Sequence, residues 1–417
     1  MTGAARPAGA GGELRAAVAW LRTTEAVRAR CRLLYDLARR GELEHFRLDL
    51  GKLDAAARYV AGTIRESYAS LDIPYHSRWR HFDAGGIDRW GAMARAIADP
   101  AERARVAGDL AVVSVLLDAG AGADWKYAEP GTGQTVARSE GLAVASLHMF
   151  KAGLFSSDLR DPLRADAEGL KALTPARLAA GFQAGPTNPL VGLENRCELM
   201  RRLGAALAAN PAIFGTHPAR PGAMIGHLLR ASRGAVPAHA VLDVLLGAFA
   251  PIWPNGLMFH GVNLGDVARH RRARGAGPTD GLVPFHKLSQ WLAYSLIEPL
   301  EWAGARVEGL DALTGLPEYR NGGLFIDLGV VLPRPGLAGE GPLDPRSEPV
   351  VEWRALTVTL LDEIVPRVRA ILGQSAERLP LAKVLQGGTW IAGRRIAAEK
   401  RSGGPPPLSV ATDGTTF

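Results

Sequence analysis

VVEWRALTVTLLDEIVPRVRAIL (350–372) places apolar residues every three or four positions along its whole length. That period belongs to an α-helix, since a strand would alternate at every second residue. The period returns in ELRAAVAWLRTTEAVRARCRLLYDLARRGE (13–42), which Gly41 closes, and in KLDAAARYVAGTIRESYA (52–69). It recurs in RWGAMARAIADPAERARVAGDLAVVSVLLDAG (89–120), ENRCELMRRLGAALAAN (194–210), VLDVLLGAFAPIW (241–253) and KLSQWLAYSLIEPLEWAG (287–304). Strand signals are few: LFIDLGVVLPR (324–334) and LSVAT near the C-terminus. No segment recurs at a fixed period, which argues against a solenoid. The reading is a mostly α fold with one short β element near 324–334.

The breaks QAGPTNPLVG, RPGLAGEGPLDPRSEP and SGGPPP are short, and none has the character of a domain linker. The expectation is a flexible tail over 1–12 and a single helical domain over 13–417, with 185–188 as the place where it would divide.

Of the 417 residues, 47% are hydrophobic and 22% charged, an ordinary globular composition with ample material for a core. A net charge of +7 invites a nucleic-acid reading, but acids and bases are mixed along most of the chain. Nucleic-acid binding needs a basic stripe, and the densest run, RHRRARG (269–275), reads as one exposed loop. Cys31 and Cys197 belong to no CxxC or Cys/His cluster, so neither a disulfide scaffold nor a metal centre is expected. No apolar run of about 18 residues is present and the first dozen residues lack a signal peptide's core, so the expected location is the cytoplasm.

Four segments break the Leu/Ala monotony. IPYHSRWRHFDAGGIDRW (73–90) carries Arg78, Trp79, Arg80 and His81, and the stretch from Asp118 to Phe150 carries Trp125, Arg138 and Glu140. VPFHKLSQWLAY supplies His286 and Lys287. LDALTGLPEYRNGGLFID (310–327) supplies Glu318, Tyr319, Arg320 and Asn321, and the segment after it supplies Glu352 and Arg354. Each admits a plain structural reading. Tryptophans on helices are usually core, Glu352 and Arg354 two positions apart need not pair, and HSRWRH could simply be solvated. The functional reading is a polar pocket with aromatic walls, cations for an anion and a carboxylate for chemistry. Pro317 suits a helix start and Gly322–Gly323 a helix end, so PEYRN reads as one short turn. No G-x-S-x-G, H-E-x-x-H, P-loop or G-x-G-x-x-G is present.

SRWRHFDAGGIDRW, RSEGLAVASLHMF, LPEYRNGGLFID and the ending GGPPPLSVATDGTTF resemble the uracil-catabolism protein 4 family, called uracil-regulated protein 3 in fungi. The likeness covers nearly the whole chain and implies a role in degrading uracil after its conversion to a nucleotide. A remoter likeness is to the queuosine-salvage enzymes, which hydrolyse the N-glycosidic bond of a nucleoside 5′-phosphate. Their F-Y-K-R-A-Q resembles Phe285-His286-Lys287-Leu288-Ser289-Gln290, and their L-T-x-F-A-D-Y-R resembles Leu313 to Arg320. Their E-x-E-I-R-A resembles Val350 to Ala355, and an earlier D-x-L-N-F-x-F-W is echoed by Asp118 and Trp125. Those enzymes share a helical architecture with DNA glycosylases. The likeness puts the catalytic carboxylate on Glu318, where that family has Asp, and Lys287 beside the substrate.

The chemistry this implies is cleavage of the N-glycosidic bond of a ring-opened uracil nucleotide such as ribosylurea 5′-phosphate, giving urea and ribose 5-phosphate. A carboxylate stabilises the oxocarbenium-like state and orients water. His286, His81 and Glu140 are the candidates for protonating the leaving nitrogen. Lys287, Arg320, Arg78 and Arg80 are candidates for the 5′-phosphate, with Trp79, Trp125 and Tyr319 as walls. No metal and no cofactor is expected, and the partner is a small phosphorylated ribosyl compound. Two other readings stay open: a non-catalytic partner of a pyrimidine-degrading enzyme or intermediate, and a hydrolase acting on another C–N bond of the ring-opened nucleotide.

Overall fold

The computed structural model describes residues 8–337 and 341–415, with side chains from residue 11 onward. Helices dominate, and the strands are two or three residues long. The fold is mostly α, with more β than the single element expected. Among the described residues the strands form five two-stranded pairings, of which Phe46–Leu48 with Val331–Pro333 is antiparallel and Ala235–Pro237 with Arg306–Glu308 is parallel.

The chain divides into two compact units, each assembled from separated segments. The first holds 1–72, 256–287 and 314–410, and the second holds 73–255, 288–313 and 411–417. Residues 185–188 fall inside the second unit.

In the first unit the Glu348–Leu372 helix is the centre, buried without a break from Val350 to Leu361. A helix buried on all its faces belongs inside a protein, and its polar residues Glu352 and Arg354 find partners there. The Thr24–Arg39 and Leu53–Ser67 helices pack against it. Pro349 occupies its first turn, and Gly373, at φ 64°, ends it in the left-handed conformation that glycine takes without cost.

Two long periodic stretches prove to be pairs of helices. Residues 13–42 split where the Thr23 hydroxyl accepts from the Ala26 N–H and so caps a new helix at Thr24. Residues 89–120 split where Asp99 caps the Pro100–Leu116 helix, with Pro100 at its start. The first helix begins at Ala8, inside the stretch expected to be a tail, and residues 1–7 lie outside the described part.

A larger correction concerns 324–334. Leu324–Asp327 are helical, and only Val331–Pro333 form a strand. The helix Tyr319–Asp327 passes straight through Gly322 and Gly323, which were expected to end it. Packing is the reason. A Cβ on Gly322 would stand 2.7 Å from the Trp353 indole nitrogen, so glycine lets this helix press against the central one.

In the second unit the Pro100–Leu116 helix packs on the Arg138–Lys151 helix, and Leu193–Ala209 packs on the short Ala167–Lys171 helix. Helix Lys287–Trp302 opens on the last residue of the first unit's middle segment and runs on into the second. No helix among the described residues is long and apolar enough to cross a membrane.

Candidate functional site

The candidate residues fall into two groups, one in each unit. Glu318, Tyr319, Arg320, Asn321, His286, Lys287, Glu352 and Arg354 belong to the first, and Arg78, Arg80, His81, Asp118, Trp125, Arg138 and Glu140 to the second.

Glu318 is the N-cap of the Tyr319–Asp327 helix. Its two carboxylate oxygens accept from the backbone N–H groups of Arg320 (3.0 Å) and Asn321 (2.6 Å). One lone pair on each oxygen is used in this way and one remains. The two amides hold the carboxylate in one orientation at the start of the helix. Beside it, Arg320 is only 6% exposed and lies 4.6 Å from the centre of the Trp390 ring, a cation–π contact. Arg320 Nε donates to the Tyr319 hydroxyl at 3.2 Å, and Tyr319 itself is exposed. Asn321 is buried and donates to the Leu316 carbonyl, which ties the cap to the preceding loop.

His286 and Lys287 stand where the strand Leu282–Pro284 gives way to the Lys287–Trp302 helix. His286 holds a left-handed backbone at φ 50°, uncommon for a residue with a side chain. Its ring is buried and its Nε2 donates to the Leu21 carbonyl at 2.8 Å. Burial lowers its pKa, so the ring is neutral at physiological pH. Lys287 is half-buried, and its backbone N–H donates to Asp266 at 2.9 Å.

Asp266 was not legible as a site residue, yet it organises this corner. Arg354 grips it through both terminal nitrogens, at 2.8 and 2.6 Å, and lies 4.0 Å above the Phe285 ring. Burial pushes the Asp266 carboxyl up, but the Arg354 charge and hydrogen bonds and the Lys287 amide outweigh it, and the net shift is downward. Nothing distinguishes Asp266 in the sequence, because its partner lies 88 residues away.

Glu352 does not pair with Arg354. It accepts from the His45 N–H at 3.1 Å and meets His270 Nε2 at 3.3 Å. His270 Nδ1 accepts from the Arg272 N–H, so its proton is on Nε2 and is given to Glu352. The RHRRARG run is therefore not a fully exposed loop, since His270 inside it is buried. Among the described residues, Glu44, His45 and Glu348 bring one possible ligand atom each within 4.8 Å of one another. Arg271 bonds to both carboxylates, which supplies the positive charge a cation would otherwise bring.

In the second unit Arg78 is wholly buried. Its Nε donates to Ser114 Oγ at 2.6 Å, and its Nη1 donates to Asp118, to the Ser139 carbonyl and to His81 Nδ1. Burial lowers the Arg78 pKa, and the charges of Asp118 and Glu140 oppose that. Asp118 also accepts from the Ser139 hydroxyl at 3.1 Å. Arg80 pairs instead with Glu298, whose other oxygen accepts from Ser77. Trp125 is core, its indole N–H given to the Phe182 carbonyl. Arg138 is exposed, with φ 55°, at the start of the Arg138–Lys151 helix. Sequence reading missed Ser114 and Ser139, Ser295, whose hydroxyl accepts from the Arg78 backbone N–H at 3.0 Å, and Trp291, whose ring centre lies 5.6 Å from the Arg78 guanidinium carbon, because nothing about a lone serine or a helical tryptophan marks it.

A cavity of about 580 Å³ in this unit, lined by Arg105, Ile213, Ile225, Leu229, Arg230 and Trp302 among others, includes none of the candidates.

Comparison with known proteins identifies the class. The family described as "Protein of unknown function (DUF1688)" matches residues 20–417, and the chain belongs to it. Among its relatives is Uracil catabolism protein 4 of Lachancea kluyveri, 36% identical over 440 residues that cover 96% of this chain and 99% of that one. Protein urg3 of Schizosaccharomyces pombe is 38% identical over 414 residues, again 96% and 99% of the two chains.

Proposed function

We propose that the protein acts in uracil breakdown by hydrolysing the N-glycosidic bond of a ring-opened uracil nucleotide such as ribosylurea 5′-phosphate. Water enters at C1′, the C1′–N bond breaks, and urea and ribose 5-phosphate leave. The role in uracil catabolism is supported by the name of a full-length relative, and the reaction rests on the resemblance of the motif order to that of the queuosine-salvage enzymes.

One observation carries the reaction: the Glu318 carboxylate is anchored by two backbone amides and keeps a lone pair on each oxygen. A fixed anion of this kind stabilises the positive sugar of the transition state and orients the attacking water. Glu318 is thus assigned the role of fixed carboxylate and not that of proton donor. His286 does not take that task in the proposal either, because its Nε2–H is committed to Leu21 and its ring stays neutral in a buried turn. The donor assigned to the leaving urea nitrogen is the Tyr319 hydroxyl, which accepts from Arg320 and keeps its own proton to give. Lys287 and Arg320 are the cations assigned to the 5′-phosphate.

The test is to incubate the protein with synthetic ribosylurea 5′-phosphate and to quantify both products. Equal amounts of urea and ribose 5-phosphate are expected. Release of ammonia would point to hydrolysis of another C–N bond, and binding without turnover would make the protein a binding partner; either result overturns the glycosidase reading.

A further inference from the structure

Arg78 and Trp291 share one feature. Arg78 is wholly buried and Trp291 is 4% exposed, yet Arg78 Nη2 and Trp291 Nε1 each lack a hydrogen-bond acceptor. The two groups are in contact, with the guanidinium carbon 5.6 Å from the centre of the Trp291 ring. A buried donor without an acceptor costs about 1–3 kcal/mol. Two such donors in one cluster, where Arg80 Nε likewise lacks an acceptor, call for an acceptor that binds there.

The surroundings specify what that acceptor is. His81 lies 5.5 Å from the Trp291 ring and His76 lies 6.4 Å from it. Arg78 only donates, so His81 Nδ1 must accept at 3.3 Å, which puts the neutral ring's proton on Nε2. The charge of Arg78 is already balanced by Asp118, and Glu140 adds a second negative field. A phosphate dianion placed here would meet the Asp118 and Glu140 carboxylates, while the second guanidinium nearby, Arg196, gives its donors to backbone carbonyls. A neutral carbonyl oxygen takes the two N–H groups without that repulsion. Asp118 and Arg80 retain 9% and 28% exposure, so the cluster lies close beneath the surface.

We infer that Arg78 Nη2–H and Trp291 Nε1–H form a two-donor site for the carbonyl oxygen of a neutral ureide, amide or pyrimidine. This reassigns Arg78 from phosphate to carbonyl recognition. The inference concerns binding within the second unit and stands whether or not Glu318 catalyses glycoside cleavage.

The experiment is a titration of the full chain, enriched in ¹⁵N at tryptophan, followed through the indole N–H resonances. The Trp291 signal is the one that disappears in Trp291→Phe. Uracil and N-methylurea are the carbonyl probes, and inorganic phosphate is the anion probe. The expected result is a saturable downfield shift of the Trp291 signal with the carbonyl probes and none with phosphate. Uracil binding, read by calorimetry, should weaken about fivefold in Trp291→Phe, the equivalent of one hydrogen bond. That variant removes the donor together with part of a buried ring, so its fold is checked by circular dichroism, and the wild-type titration with the three probes keeps the test decisive if Arg78→Lys does not fold. No shift with either carbonyl probe would mean that internal water serves the donors, and the site is withdrawn. A shift with phosphate alone would make it an oxyanion site and overturn the carbonyl assignment.

Discussion

Two junctions in this molecule are built alike. In each, a short strand ends, one non-glycine residue takes a left-handed backbone, and a helix begins: Thr135–Ala137, Arg138 and the 138–151 helix in one, Leu282–Pro284, His286 and the 287–302 helix in the other. In each, an aspartate from another segment bonds the start of the helix while gripped by a buried arginine, Asp118 with Arg78 and Asp266 with Arg354. The arginines are used differently. Arg354 gives both terminal nitrogens to Asp266, whereas Arg78 spreads its donors over Asp118, Ser114, Ser139 and His81 and leaves Nη2 without an acceptor. The first arrangement is a clamp on one carboxylate, and the second is a cluster spread over four partners, in which the inferred carbonyl site would use Nη2.

The largest effect expected from that difference is on stability. Asp266→Ala leaves a buried guanidinium with its main partner gone and should cost about 3–5 kcal/mol in denaturant unfolding. Asp118→Ala should cost clearly less, since Arg78 keeps Ser114 and the Ser139 carbonyl. Equal losses would erase the distinction between clamp and binding cluster.

Acid should weaken both junctions. The Asp266 carboxyl is held below its ordinary value of 3.8, so its contribution is full above that value and is lost as pH falls through the folded pKa. Glu129, which bonds His148 of the 138–151 helix, is held at about 2 by hydrogen bonds from Arg89, which outweigh its burial, and then from His148 and Thr132. Its unfolded value of 4.5 sets the upper edge, so about 3 kcal/mol should drain away between pH 4.5 and 2. Glu129→Gln should flatten the acid limb of stability against pH. A variant as acid-sensitive as the wild type would contradict this.

The smallest effect sharpens the comparison at the turn residues. Arg138 is exposed, so Arg138→Gly relieves its left-handed backbone and should leave thermal stability unchanged or raised by up to about 1 kcal/mol. His286→Gly relieves the same strain but forfeits the bond to Leu21, and should be destabilising by about 1 kcal/mol. Gains in both variants would mean that the His286 ring anchors nothing.

Much of the helical content was legible because period is a local property. The 350–372 stretch reads as a helix and forms one from Glu348 to Leu372. Glu318 was legible at a helix start through Pro317, although the glycines misled, because their reason is contact with Trp353 and not termination. The assembly of each unit from separated segments was not legible. Nor were Asp266 and Trp291, whose roles come from partners far away in the chain, which no window of sequence contains.

The central claim is best tested at Glu318. Turnover of ribosylurea 5′-phosphate should be compared between wild type and Glu318→Gln, with circular dichroism and unfolding to confirm the fold. The account predicts a fall in kcat of about 10²–10⁴, against a stability loss near 1 kcal/mol for the weakened cap. A variant that turns over at the wild-type rate would leave Glu318 as a helix cap and contradict its catalytic role.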